Sequence, residues 1–242
     1  MRRNLIVLSA ALAALGLGLI LTVRYAPLWK ARVAERKPIY DVTPVKLFSF
    51  SSDNALKEWE DKIFKGKVVY KIEKDEDLSY VKAHSAGSAS ALYYKIKLDA
   101  RKRRPVIRWK WRAEKFPVKS APESLEAPGE DDFAGRVYVI FPAMFILNSH
   151  VIEYIWAEKL PVGSTGTSPY SKNIKLMVLE SGPVKEGKFI SEERDVAADY
   201  IKLFGKPPQH NIGAVAFMTN AEHTKTSADA MYDEIEIGYK EK

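Results

Sequence analysis

The chain has no cysteine. Disulfides, thiolate metal sites, cysteine nucleophiles and lipoprotein-type acylation of cysteine are therefore excluded. Histidine is scarce as well. His84, His150, His210 and His223 are scattered, and no HxxxH or HExxH pair exists to hold a hydrolytic metal. No GxSxG elbow is present and no glycine-rich phosphate loop follows a strand, so neither serine-hydrolase nor nucleotide chemistry is expected. No cofactor and no metal are expected.

What is present begins with charge, and its position matters more than its total. The net charge is +7, but Arg2, Arg3, Arg24, Lys30, Arg32, Arg36 and Lys37 stand against Glu35 alone within residues 1–40. That segment holds six of the seven net positive charges, so the rest of the chain has no globally basic, nucleic-acid-type footprint. Leu5 to Val23 carries no charge and only Ser9 and Thr22 as polar residues. A bilayer-spanning helix needs ~20 apolar residues. A cleaved signal has an apolar core of about 7–15 residues and a small-residue cleavage site, which this stretch does not offer. An uncleaved membrane anchor is therefore expected over a removed signal. Cations load both flanks, so positive-inside counting leaves the orientation open.

Residues 41–242 are expected to form one β domain. With 46% hydrophobic residues the chain has ample material for a core. Short runs with period-2 alternation recur at Leu47–Phe50, Lys67–Ile72, Leu78–Lys82, Ser90–Leu98, Val106–Arg112, Asp132–Phe141, Val151–Ala157, Ile174–Leu179, Ile212–Thr219 and Met231–Tyr239. So many short strands predict a mostly β, two-sheet, jelly-roll-like sandwich. A helix is expected from Ser191, with Glu192 and Glu193 at its positive end and Gly205, Pro207 and Pro208 stopping it. A weaker helix is expected around Asn54–Phe64. The polar connections 115–130, 158–172 and 219–229 are long enough to carry a ligand site.

The most telling stretch is Glu130–Phe141. Alternation puts Phe133, Val137, Val139 and Phe141 on one face and Asp132, Ala134, Arg136 and Tyr138 on the other. A guanidinium inside an apolar strand needs a carboxylate or an anionic ligand, because an unpaired buried charge is very costly. Asp131 and Asp132 point to opposite faces, so they are not by themselves an acid/base pair; Glu153 or Asp199 would have to serve as partner. A structural Asp132–Arg136 pair accounts for the same residues. Tyr154 and Trp156 share a strand face with His150 and Ile152; such aromatics stack on sugar rings, and they also fill sandwich cores.

Two further groups stand out. Arg101–Lys115 interleaves cations with Trp109 and Trp111, but alternation sends the indoles to one face and the charges to the other. Nucleic acid is therefore less expected than a solvated face or acidic lipid headgroups. Arg194, Asp195 and Asp199 fit a charged helix face, with the two carboxylates four apart and in need of a cation.

Several segments in order resemble the bacterial domain-of-unknown-function family numbered 3047. They are Ile107–Arg112, Asp131–Tyr138, Tyr154–Ala157 with Pro161–Gly163, Glu193–Asp195 through Asp199–Tyr200 to Phe204–Gly205, Gly213–Met218 and Tyr232–Ile235. The resemblance implies an exported or membrane-associated bacterial β-sandwich with no established activity. It implies polar family positions at Asp131, Asp132, Arg136, Arg194 and Asp199. One departure is Thr219-Asn220-Ala221-Glu222-His223-Thr224, where similar proteins read Thr-Asp-x-Asp-Asn-Thr. Asn220 in place of the first carboxylate weakens a metal or acid/base role for that loop.

The functional expectation is a membrane-anchored, periplasm-facing sandwich that binds a glycan or another polar envelope ligand. Its floor would be a concave face of Asp132, Arg136, Tyr154 and Trp156, joined by Asp131, Arg194 and Asp199. A polysaccharide hydrolase or lyase using Asp131 or Asp132 with Glu153 or Asp199 is the alternative. A module presenting the Arg101–Lys115 cations to lipid or protein is the third reading.

Overall fold

A computed structural model describes residues 38–75, 78–184 and 187–241. The expected N-terminal anchor lies outside them, apart from residues 38–40 of its linker. Among the described residues no helix is long and apolar enough to cross a membrane.

Among the described residues thirteen strands form two sheets: β1 (Val42–Phe48), β2 (Glu60–Lys65), β3 (Val69–Asp75), β4 (Leu78–Ala86), β5 (Ala89–Leu98), β6 (Pro105–Lys115), β7 (Gly135–Phe141), β8 (His150–Ala157), β9 (Thr165–Thr167), β10 (Ile174–Ser181), β11 (Ile190–Asp195), β12 (Ile212–Asn220) and β13 (Ser227–Lys240). A six-stranded sheet runs β11-β6-β13-β4-β3, with β1 also pairing β13. A seven-stranded sheet runs β2-β5-β12-β7-β8-β10-β9. Every pairing is antiparallel except β8 with β10. The long β13 serves β4 with its first half and β1 with its second. Between them, at Asp233–Glu236, its register with β6 shifts, and Glu234 takes a φ of 46°. A bulge there bends the strand from one partner to the next.

Core alternation follows the sequence pattern on the central strands. Leu92 and Leu98 of β5, and Ile107, Trp109 and Trp111 of β6, are buried in one continuous core. In the same seven-stranded sheet as β5, Val137, Val139 and Phe141 of β7 and Ile152, Tyr154 and Trp156 of β8 complete that core, and the β6 residues face them from the other sheet. Trp109 meets Tyr154 and Trp111 meets Trp156, each at 5.3 Å between ring centroids. Each such ring buries enough surface for roughly 4–6 kcal/mol of transfer free energy. Gly135 makes room for this packing. A Cβ there would lie 3.3 Å from Trp111 and 3.4 Å from Trp156.

Both expected helices need correction. The segment Ile190–Asp195 is strand β11, paired residue for residue with β6 from Ile190↔Trp111 to Asp195↔Val106. The edge of β6 would otherwise leave a row of backbone groups unpaired, and that demand outweighs the helical look of Ser-Glu-Glu-Arg-Asp. The helix α1 (Val196–Phe204) begins one residue later and is capped by Asp195, whose side chain accepts from the Ala198 amide at 3.0 Å. Gly205 ends it at φ 70°. The expected helix at Asn54–Phe64 is a single 3-10 turn, Ala55–Glu58, followed by the exposed edge strand β2. Trp59 is buried against Phe48 and Phe217, and Ala55 and Leu56 pack part-buried on the same core. The sequence does not announce β2, β9 or β11, because none of the three shows an alternation of buried apolar side chains.

Candidate functional site on the outer face of the seven-stranded sheet

The residues that alternate away from the core line the outer face of the seven-stranded sheet. The segment 116–134 covers half of that face. Leu125 and Phe133 lie on Ile155, Leu176 and Val178 in a second, smaller apolar cluster. Glu123 fixes the cover by accepting from the amides of Glu158, Lys159 and Leu160, and it pairs with the buried Lys119 at 3.2 Å.

Arg136 lies beside this cover and is 3% exposed. Its Nη2 pairs with the Asp131 carboxylate and donates to the Asp131 carbonyl at 3.0 Å. Nη1 lies 3.4 Å from the Glu153 carboxylate and donates to the Tyr138 hydroxyl at 3.3 Å. The guanidinium sits over the Phe133 ring, 4.9 Å from its centroid. Burial pushes the Glu153 carboxyl up to about 7, against the pull of Arg136. Burial also raises the Tyr138 phenol well above its ordinary range. Arg136 Nε and Glu153 Oε2 are buried with no hydrogen-bond partner among the described residues.

A second polar group adjoins the first. Asn220 Nδ2 reaches the Asp131 carbonyl, Asp132 Oδ1 and Glu222 Oε2 at 2.8–2.9 Å, while its Oδ1 accepts from the Phe133 amide. His223 Nδ1 faces Asp132 at 3.4 Å and Glu222 at 3.2 Å, and its Nε2 meets the Tyr170 hydroxyl at 2.5 Å. Burial, reinforced by the hydrogen bond to Asp132, raises the Glu222 carboxyl to about 7. Burial would raise Asp132 too, but hydrogen bonds from Glu222 and the Thr224 amide hold it below the usual carboxylate range. The ligand atoms of Asp132, Glu222 and His223 lie within 4.8 Å of one another, the donor types a divalent cation takes. Asn220 and the Thr224 amide already engage both Asp132 oxygens. The amide at position 220 thus holds two carboxylates together rather than leaving a gap in a carboxylate set. Sequence reasoning missed this trio because Asp132 lies 91 positions from His223.

A straight row crosses five strands of the same face, open at its Glu60 end, with Ala216 and Glu153 buried at 5% and 6% exposure. Register places Glu60 beside Tyr93, Tyr93 beside Ala216, Ala216 beside Tyr138 and Tyr138 beside Glu153. Two tyrosines therefore stand one strand either side of a small floor residue, about 9–10 Å apart at the backbone. Tyr93 donates to Glu60, and Lys95 pairs with Glu60 at 2.9 Å. Lys95 also lines a shallow groove of about 540 Å³, with Lys97, Pro142, His210 and Asn211 among its walls.

The expected concavity of Asp132, Arg136, Tyr154 and Trp156 is not assembled. Tyr154 and Trp156 are 0% and 1% exposed in the core, on the opposite face of the sheet from Arg136. Trp156 Nε1 is spent on the Gly182 carbonyl at 2.9 Å. Nor does Asp132 pair with Arg136: Asp131 does, because the 3-10 turn Pro128–Glu130 and the non-strand run to Ala134 free it from strand alternation. Arg194 and Asp199 form a two-pronged pair at 2.5 and 2.8 Å, and the Tyr154 hydroxyl donates to the same carboxylate at 2.8 Å. This trio joins helix to core on the inner side of the sheet, away from Asp131 and Asp132. Asp199 is therefore no acid/base partner for them. Asp195 finds its cation in Arg104 at 2.5 Å. On the six-stranded sheet Arg108, Lys110 and Arg112 are answered by Glu193, Glu234 and Glu114. That leaves little uncompensated charge for lipid on this face.

No curated protein matches the chain in sequence. Among solved structures, it is similar to a family 11 carbohydrate-binding module of the cellulosomal cellulase Lic26A-Cel5E of Clostridium thermocellum. The identity there is 9%, the TM-score 0.43, and the match covers 84% of this chain and 96% of that one. It is also similar to the xyloglucanase domain of NopAA, a type three effector from Sinorhizobium fredii, at 10% identity and TM-score 0.44, over 75% and 93% of the two chains. By sequence, the model of one family matches residues 57–236, and the chain belongs to that family, described as a protein of unknown function (DUF3047).

Proposed function

We propose that this protein binds a glycan or similar polyhydroxylated ligand on the open half of the seven-stranded sheet. The observation that carries the reading is the row Glu60–Tyr93–Ala216–Tyr138–Glu153. Two phenol rings flanking a small residue offer apolar faces for a sugar ring, with Glu60 and Lys95 at the exposed end of the row for its hydroxyls. The row itself does not favour hydrolysis. Glu60 and Glu153 stand four strands apart, roughly 19 Å by strand spacing, whereas glycosidic cleavage needs carboxyls about 5–9.5 Å apart.

Affinity electrophoresis of the protein through a panel of cell-envelope polysaccharides tests the proposal. Tyr93→Ala is expected to weaken binding roughly fivefold, as for about 1 kcal/mol of ring contact. Ala216→Leu, which fills the space between the rings, is expected to abolish binding; with Ala216 5% exposed it also costs about 1–3 kcal/mol of stability, so affinity is compared on protein shown to be folded. Retention by no polysaccharide, or retention indifferent to both substitutions, refutes it.

A hydrolase or lyase reading has one observation in its favour: Glu153, held near neutrality at about 7 beside Asp131 and Arg136. It requires slow product release that Glu153→Gln eliminates while folding survives. We further propose a membrane-anchored, periplasm-facing placement, supported by the apolar run Leu5–Val23. Its mark is a membrane fraction that resists alkaline extraction and a domain open to protease in spheroplasts.

A further inference from the structure

One pole of the sandwich combines exposed apolar side chains with positive charge. Strand β7 ends there at Phe141, β8 begins there at His150, β12 begins at Ile212 opposite the end of β5 at Leu98, and α1 packs alongside. The connection from Pro142 to Ser149 contains no charged residue. Its Met144, Phe145 and Leu147 are 94%, 69% and 84% exposed. Large apolar side chains bunched at a loop tip are not explained by packing within the fold.

The surrounding connections are basic. Residues 99–104 supply Arg101, Lys102, Arg103 and Arg104 against Asp99, and residues 205–211 supply Lys206 and His210 with no carboxylate. Arg104 is taken by Asp195 and Arg103 lies over the Tyr239 ring, which leaves Arg101, Lys102 and Lys206 at the rim. Lys97 and His210 line the groove beside Pro142. His150, at the base of the loop, is held below its ordinary pKa by burial and by the positive charges of Lys206, His210 and Lys175. The chain also enters the sandwich at this pole, where Val42 pairs with Lys240 and the neighbouring Tyr239 lies opposite Pro105.

We infer that the Pro142–Ser149 loop inserts into the headgroup region of an anionic lipid bilayer, with the basic rim against its surface. Apolar side chains at the tip gain by leaving water, and cations at the rim gain from the negative surface potential. This contact is separate from the proposed ligand row and does not depend on it. Nor does it use the cations of the six-stranded sheet face, which carboxylates already neutralise.

The absence of cysteine makes the test local. Asn148→Cys in the full chain carries an environment-sensitive fluorophore at the loop, and Lys65→Cys carries it near the opposite pole, where β2 pairs with the start of β5. Each protein is reconstituted into vesicles of phosphatidylglycerol with phosphatidylcholine, or of phosphatidylcholine alone, with lipid-attached quenchers. The loop label is expected to shift to the blue and be quenched only in anionic vesicles, while the label at 65 stays aqueous in both. Phe145→Ser with Leu147→Ser should abolish the loop signal without lowering the melting temperature, and Lys206→Gln should reduce its lipid dependence roughly fivefold. A loop label that stays aqueous on anionic vesicles overturns the inference, and so does one shifted equally on neutral vesicles. A shift without lipid that grows with protein concentration also overturns it, assigning the loop to a second copy of the chain.

Discussion

Glu153→Gln is the substitution whose outcome the structure specifies most closely. Glu153 is 6% exposed on the outer face, and burial lifts its carboxyl from 4.5 to about 7 even with Arg136 beside it. An acid whose folded-state pKa lies above its unfolded value binds an extra proton when folded, throughout the interval between the two. Stability therefore falls as pH rises from 4.5 to 7, by about 3 kcal/mol in all. Glutamine keeps the shape and has no proton to lose, so the variant escapes that fall. The two proteins should differ by under about 1 kcal/mol at pH 5 and by about 3 kcal/mol above pH 8, with the variant the more stable. For a folded region of this size that is roughly 6–12 °C in melting temperature. Thermal unfolding followed by near-ultraviolet circular dichroism from pH 5 to 8.5 measures it. Glu222 and Asp233, each also raised to about 7 by burial, tilt both curves alike and cancel in the difference. A variant less stable than the parent at pH 8.5, or a gap independent of pH, would show that the Arg136 pair outweighs the desolvation of Glu153.

Two other outcomes follow from the same arrangement. Trp156→Ala should cost about 3–5 kcal/mol of stability by emptying the Trp111 contact, yet leave the polysaccharide affinity of the folded protein unchanged; selective loss of affinity would return Trp156 to the ligand face. Asp132→Asn removes the partner that helps hold the Glu222 proton, so carbon-detected NMR titration should find the Glu222 carboxyl moving from about 7 toward the ordinary carboxylate range. A Glu222 pKa unmoved by the change would mean that burial alone holds it there.

Much of the sandwich is legible from alternation because alternation reports which side of a strand is dry. Trp109 and Trp111 inward, and Arg108 and Lys110 outward, follow from period two and from the cost of burying an unpaired cation. The same logic places Tyr154 and Trp156 on a common face of β8. It does not say which face, and the ligand reading chose the wrong one. Strands without a buried apolar face defeat the method. Glu-Asp-Lys-Ile-Phe-Lys of β2 is exposed along its whole length, so no pattern marks it. Charged β11 looks like a helix start because Ser191 followed by Glu192 and Glu193 is what a capped first turn also carries.

The amino-acid sequence by itself determined that this is a cysteine-free β-sandwich of the family described as a protein of unknown function (DUF3047), and that Arg136 must meet a carboxylate or an anion. These are properties of single residues and of spacing along one strand. Tertiary structure alone decided that the carboxylate is Asp131 with Glu153 beside it, and that Asp132 turns instead to Glu222 and His223. It also decided that Glu60, Tyr93, Ala216, Tyr138 and Glu153 stand in one row. Register between strands far apart in the chain is set by the packing of the whole core, and no local pattern carries it.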